Sequence, residues 1–161
     1  MTEIDSFLMD ADTIGISGHV RPDGDCVGST LAVYNYIKDY YPDKTVKLFL
    51  EPSPNIFKFM QRSDEIDNTF SYGRQFDLYI ALDCSDLGRL GPAAEFFKEA
   101  KRTICIDHHV TNGAFADENY IFPDASSTCE LVYELLPKER LTMHIAECIY
   151  TGMVHDTGVF Q

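Results

Sequence analysis

Short, nearly uninterrupted apolar runs alternate along this chain with longer stretches whose apolar residues recur at helical spacing. TIGISGHV (13–20) is the first such run and is expected to be a strand ending at Gly18-His19. RPDGD (21–25) is rich in the residues that turns need. In CVGSTLAVYNYIKDYYP (26–42), Val27, Leu31, Tyr34, Ile37 and Lys38 fall near helical spacing, and Pro42 marks the end of a helix. KTVKLFL (44–50) reads as a second strand and NIFKFM (55–60) as a short helix. FDLYIALDCS (76–85) is apolar nearly throughout, as a strand buried on both faces should be. GPAAEFFKEAK (91–101) predicts a helix with proline near its start, and RTICIDHHV (102–110) a fourth strand. NYIF (119–122) reads as a further short strand. SSTCELVYELL (126–136) is a helix opened by cap-forming hydroxyls, MHIAECIYTGMVHD (143–156) the last helix, and TGVFQ (157–161) a tail. Strands alternating with helices predict an α/β fold: a doubly wound, mainly parallel sheet flanked by helices.

Composition narrows the class. A chain of 161 residues with 45% apolar content fits one ordered domain with its own core. The five cysteines, Cys26, Cys84, Cys105, Cys129 and Cys148, form no CxxC and mostly sit in apolar runs, so they are expected to fill the core as free thiols. No segment has the length and apolarity of a membrane span, and MTEIDSFLMDAD does not read as a secretory signal, so the expected location is the cytoplasm. A net charge of −13 argues against broad binding to long nucleic acid, which needs a basic face. Part of that acidity is functional if aspartates share a pocket, because a cation must then neutralise them.

In a doubly wound sheet the ligand crevice lies beyond the carboxyl ends of the strands. Three strand ends here deliver metal-type ligands to that edge. The first offers His19, followed by Asp23 and Asp25 in one tight turn. The third ends in Asp83, a carboxylate that is costly after a buried strand unless paired or metal-bound. The fourth ends in Asp107-His108-His109, where one imidazole can ligate a metal while the other faces a phosphate. Asp107 can then fix an imidazole tautomer from behind. Asp156, where the last helix gives way to the tail, is the remaining candidate. Carboxylates and imidazoles without thiolates suit Mn(II), with Mg(II), Co(II) and Fe(II) as competitors. Two ions about 3.5–4 Å apart, bridged by a carboxylate and a water, would make hydroxide available near neutral pH and clamp a phosphoryl oxygen. Hydrolysis of a phosphoester or phosphoanhydride follows as the reaction class.

HVRPDGDCVGS, ALDCSD, DHHVTN and HDTGVF resemble, in order, the four signature segments of the DHH phosphoesterase superfamily, which includes RecJ nucleases, family II pyrophosphatases and small-RNA hydrolases. The resemblance covers nearly the whole chain. It implies a Rossmann-like α/β domain around two Mn(II) ions. It assigns His19 and Asp23 to one ion, Asp25, His108 and Asp156 to the other, and Asp83 as the bridge. His109 would touch the scissile phosphate and Asp107 would support the histidines. GHVRPDGDCVGS and DASSTCELVYELL look most like the bacterial nano-RNase and pAp phosphatase branch, whose members degrade very short oligoribonucleotides and remove the 3′-phosphate of 3′-phosphoadenosine 5′-phosphate (pAp). In that branch the segment matching Ser126, Ser127 and Thr128 lies near the active site, which makes these residues candidate substrate contacts. Helix capping explains them equally well.

Family members continue past TGVF into a linker and a second, substrate-binding domain. This chain stops at Gln161 and has no GGGH-like stretch, so that domain is expected to be absent, with residues 1–161 forming the DHH domain alone. The expected partners are short oligoribonucleotides or small phosphorylated nucleotides, without long nucleic acid or membrane; a homodimer is left open. The competing readings are a linear or cyclic dinucleotide phosphodiesterase, an inorganic pyrophosphatase, and a non-catalytic metal- or nucleotide-binding module.

Overall fold

The structure, a computed structural model, describes residues 3–158; Val159, Phe160 and Gln161 of the expected tail lie outside the described residues. The elements are α1 (Glu3–Leu8), β1 (Thr13–Ser17), α2 (Gly24–Tyr40), β2 (Thr45–Phe49), β3 (Leu78–Leu82), α3 (Ala94–Glu99), β4 (Arg102–Asp107), β5 (Glu118–Ile121), α4 (Thr128–Leu135) and α5 (Met143–Asp156). The strands form one parallel sheet in the order β2-β1-β3-β4-β5. The chain winds from β1 outward to β2, then returns past β1 to β3. The order therefore reverses between β1 and β3, where such sheets leave a crevice.

Alternation along the strands builds two cores, as a period of two demands. Ile14, Ile16, Leu78, Ile80, Leu82, Ile104 and Ile106 face one way and meet Ile4 and Phe7 of α1, Leu31 of α2, Val132 of α4 and Ile145 of α5. Tyr79 and Ala81 face the other way and meet Phe97 of α3, with Phe49, Phe76 and Leu90. All five cysteines are free and buried. On the first face α2 lies close to α5, because Gly28 has no side chain: a Cβ there would come within 2.4 Å of the Cys148 carbonyl oxygen. No helix among the described residues is long and apolar enough to cross a membrane.

Several boundaries differ from the sequence reading. The helix expected to start at Cys26 begins at Gly24, because Asp23 is its N-cap and accepts the Cys26 amide at 3.0 Å. This places Asp25 in the first helical turn rather than in the preceding turn. The helix expected over 91–101 is shorter. Leu87–Ala93 is a 3-10 segment kinked at Gly91 (φ 58°), Pro92 lies inside it, and α3 starts only at Ala94. NIFKFM contributes a 3-10 turn, Asn55–Phe57. The N-terminal stretch, for which the sequence predicts no element, forms α1 and buries Ile4, Phe7 and Leu8. Strands β1 and β4 stop at Ser17 and Asp107, so His19, His108 and His109 stand on loops just past the sheet.

Candidate metal centre

Each strand end supplies its donors by a local device. After β1 the chain turns through Arg21, at φ 51°, and then enters α2. His19 stands at the start of this turn, Asp23 caps the helix, and Asp25 lies one step inside it. Beyond β3, Asp83 adopts a left-handed φ of 55°, a conformation that aspartate tolerates better than most residues. Its amide still donates to the Ile106 carbonyl at 3.0 Å, so the strained residue is pinned to β4. Asp86 caps the following 3-10 segment by accepting the Arg89 amide.

The six proposed metal ligands come together at this edge. His19 Nε2 lies 3.6 Å from Asp23 Oδ1 and 3.4 Å from Asp83 Oδ2. The other oxygen of Asp83, Oδ1, lies 3.7 Å from His108 Nε2 and 3.8 Å from His109 Nδ1. His108 Nε2 is also 3.6 Å from Asp25 Oδ2 and 3.0 Å from Asp156 Oδ2. Asp83 thus points one oxygen at each of two lobes. Donor atoms of Asp25, His108 and Asp156, and of Asp83, His108 and His109, lie mutually within 4.8 Å. The same spacing brings Cys26 to His19 and Asp83.

Ring orientation is set from behind. His19 Nδ1 lies 2.6 Å from the Val20 carbonyl, which only accepts, so Nδ1 carries a proton and the neutral ring presents its Nε2 lone pair to the lobe. His109 Nδ1 donates to Asp107 Oδ1 at 2.6 Å, and Asn112 Nδ2 holds the other oxygen of Asp107 at 2.8 Å. Asp107 is fully buried, whereas the His109 side chain is 36% exposed against 16% for His108. His109 therefore faces outward with Nε2 uncommitted to Asp107.

The electrostatics describe a pocket that calls for positive charge. Burial, then the charge of Asp83, pushes the Asp25 carboxyl up to about 8. Burial likewise raises Asp83, although His19 opposes it. Burial works against charge on His19 but is outweighed by Asp23, Asp83 and Val20, which lift it to about 10. Asp156 lifts His108 to about 9. Burial opposes ionisation of Asp23 too, yet His19 and the Cys26 amide bring it down to about 2. Without a cation, protonated imidazoles offset the carboxylates. A divalent ion would supply the same charge to oxygen and nitrogen donors, so the donor set fits a hard or borderline metal. Burial and Asp83 hold the Cys26 thiol well above its ordinary range, which leaves it a poor ligand beside the site.

The serine-threonine segment divides. Ser127 is buried as the N-cap of α4, its hydroxyl accepting the Glu130 amide at 3.0 Å. Ser126 is exposed and donates its amide to Glu130. Thr128 is buried, its amide on Asp25 and its hydroxyl on Asp83. His144 is exposed, and His155 packs edge-on against Phe57. Asn112 and Cys26 stand inside the segments DHHVTN and HVRPDGDCVGS, but residue type and spacing assign Asn112 no role and Cys26 only that of a core thiol.

The sequence model of the DHH family, N-terminal domain, matches residues 13–153. The bifunctional oligoribonuclease and PAP phosphatase NrnA of Bacillus subtilis is 33% identical over 154 residues, covering 92% of this chain and 47% of that protein. The Thermus thermophilus protein of the same name is 30% identical over 151 residues, with 92% and 44% covered. Among solved structures, an exopolyphosphatase-related protein from Bacteroides fragilis matches with a TM-score of 0.88 at 33% identity, covering 98% of this chain and 51% of its own. The chain spans about half the length of the curated relatives it matches.

Proposed function

Because the chain belongs to the DHH family, we propose that its carboxyl-edge cluster is a two-ion Mn(II) site that hydrolyses the phosphoesters of short oligoribonucleotides and the 3′-phosphate of pAp. The observation that carries this reading is the fork of Asp83, with Oδ2 toward His19 and Oδ1 toward His108. A carboxylate so placed suits a bridge between two cations. His19 and Asp23 would hold one ion; Asp25, His108 and Asp156 would hold the other. Bound cations would supply Lewis acidity toward a phosphoryl oxygen and lower the pKa of water.

The chain's own residues do the rest. Asp107 accepts a hydrogen bond from His109 Nδ1–H and so presents Nε2 to the open side, within reach of a phosphate oxygen. Asp25 and Asp83 are buried and held by hydrogen bonds from α4, so these two carboxylates need little reorganisation when charge develops on the phosphoryl group. The similarity to the two NrnA proteins supports the choice of substrate class.

The test is phosphate release from pAp, and cleavage of a dinucleotide RNA, with and without Mn(II), by this chain and by Asp83→Ala. Manganese-dependent release that vanishes in the variant is expected. Tight manganese binding without turnover on either substrate would favour a metal-binding module instead, and absence of manganese binding would overturn the reading at its root.

A further inference from the structure

We propose that Thr128 is a positioning residue that locks Asp25 and Asp83 into one arrangement and so sets the cation affinity of both lobes; this rests on the metal-site reading above. Thr128 is the first residue of α4 and has no solvent exposure. Its amide donates to Asp25 Oδ2 at 2.9 Å, and the next amide, of Cys129, donates to Asp25 Oδ1 at 2.9 Å. Its hydroxyl, 3.2 Å from Asp83 Oδ1, is placed to donate to that oxygen. One residue therefore joins the loop after β3, the first turn of α2 and the start of α4.

The hydroxyl acts on the oxygen that matters. Asp83 Oδ1 is the one turned toward His108 and His109, whereas Oδ2 is turned toward His19. The terminal torsion of an aspartate is broad, so the residue alone does not fix the plane of its carboxylate. A hydroxyl donor on a fully buried side chain does, because it holds one of the two oxygens in place. A carboxylate has about four acceptor positions, so one hydrogen bond to each oxygen leaves the others for a cation. Capping of α4 does not account for this hydroxyl, since Ser127 performs it.

The experiment measures Mn(II) affinity directly, by electron paramagnetic resonance of free Mn(II), for the wild-type chain, Thr128→Val and Thr128→Ser. Valine keeps the shape and removes only the hydroxyl; serine keeps the hydroxyl. A loss on the order of 10–100-fold in Thr128→Val is expected, as for other groups that orient metal ligands. Thr128→Ser should bind within about threefold of wild type, because its donor survives. Wild-type affinity in Thr128→Val would overturn the proposal, and so would equal loss in the serine variant, which would point to the buried methyl rather than the hydroxyl. Should Thr128→Val not fold by circular dichroism, Thr128→Ala serves as the hydroxyl-free partner, and wild-type affinity there would overturn the proposal as well. Failure of the wild-type chain to bind manganese is a separate result: it removes the metal-site reading and this inference with it.

Discussion

At the scale of single residues, the pair Asp107 and His109 separates ring orientation from cation binding. The 2.6 Å contact fixes which nitrogen of His109 carries the proton, and Asn112 fixes the carboxylate in turn. Asp107→Asn keeps the shape and offers an amide donor to Nδ1, which favours the opposite tautomer. Turnover on pAp should then fall on the order of 10–100-fold, while manganese affinity stays near wild type, because neither residue is placed as an ion ligand. Steady-state kinetics beside a manganese titration checks this; a parallel loss of affinity would make His109 a ligand. The candidate ligands were legible because aspartate and histidine at the ends of apolar strands have few other uses. Of the residues that orient them, Asp107 was legible in that role, Thr128 only as a candidate substrate contact, and Asn112 not at all. Thr128 lies 103 residues from Asp25, so only the fold brings those two together, and Asn112 reaches Asp107 because the loop after β4 turns back on itself. Ser127 shows another limit: its hydroxyl caps α4, the role that residue type alone could not separate from that of a substrate contact.

At the scale of elements, the sheet was legible because strands buried on both faces write themselves as apolar runs, whereas their ends did not. The end of a strand is set by where pairing stops, and β1, β3 and β4 stop at Ser17, Leu82 and Asp107 while their apolar or metal-ligand segments run on. The opposite edge has its own fastener. Asp77, just before β3, accepts the amides of Asp12 and Thr13 at 3.0 Å and pairs with Lys101 at 2.8 Å, tying β1, β3 and the entry to β4 together. Lys101, with the Thr13 and Asp12 amides, holds its carboxyl down to about 2. A depressed carboxylate stabilises the fold fully above its unfolded value near 3.8, and that stabilisation is lost as pH falls through about 2. Asp77→Asn should therefore cost on the order of 1 kcal/mol at neutral pH, discounted for a partly exposed group, and lose less than wild type on acidification. Urea midpoints at pH 6, about 4 and about 2.5 test this; identical acid slopes in the two proteins would place the acid sensitivity elsewhere.

At the scale of the whole molecule, a net charge of −13 raises the question of whether a divalent cation stabilises this chain by screening or by binding. The two differ in sign at Asp83. Burial raises its carboxyl pKa, so the folded chain bears a cost in keeping that group ionised at neutral pH. Asp83→Asn removes the charge, and asparagine tolerates the left-handed backbone found there. In the presence of a chelator the variant should melt at or above the wild-type temperature. Manganese should reverse the order. Saturation at about a hundred times the dissociation constant adds about 2.7 kcal/mol to the wild type, roughly 5–10 °C for a chain of this length, and adds little to the variant. Screening of surface charge would instead raise both proteins alike and would be reproduced by potassium chloride at matched ionic strength. Thermal melts of the two proteins with chelator, with manganese and with potassium chloride decide between these accounts. A manganese shift that survives 0.3 M salt at about its low-salt size and disappears in Asp83→Asn would place the stabilisation at the strand-end cluster, whereas equal shifts in both proteins would assign it to the acidic surface.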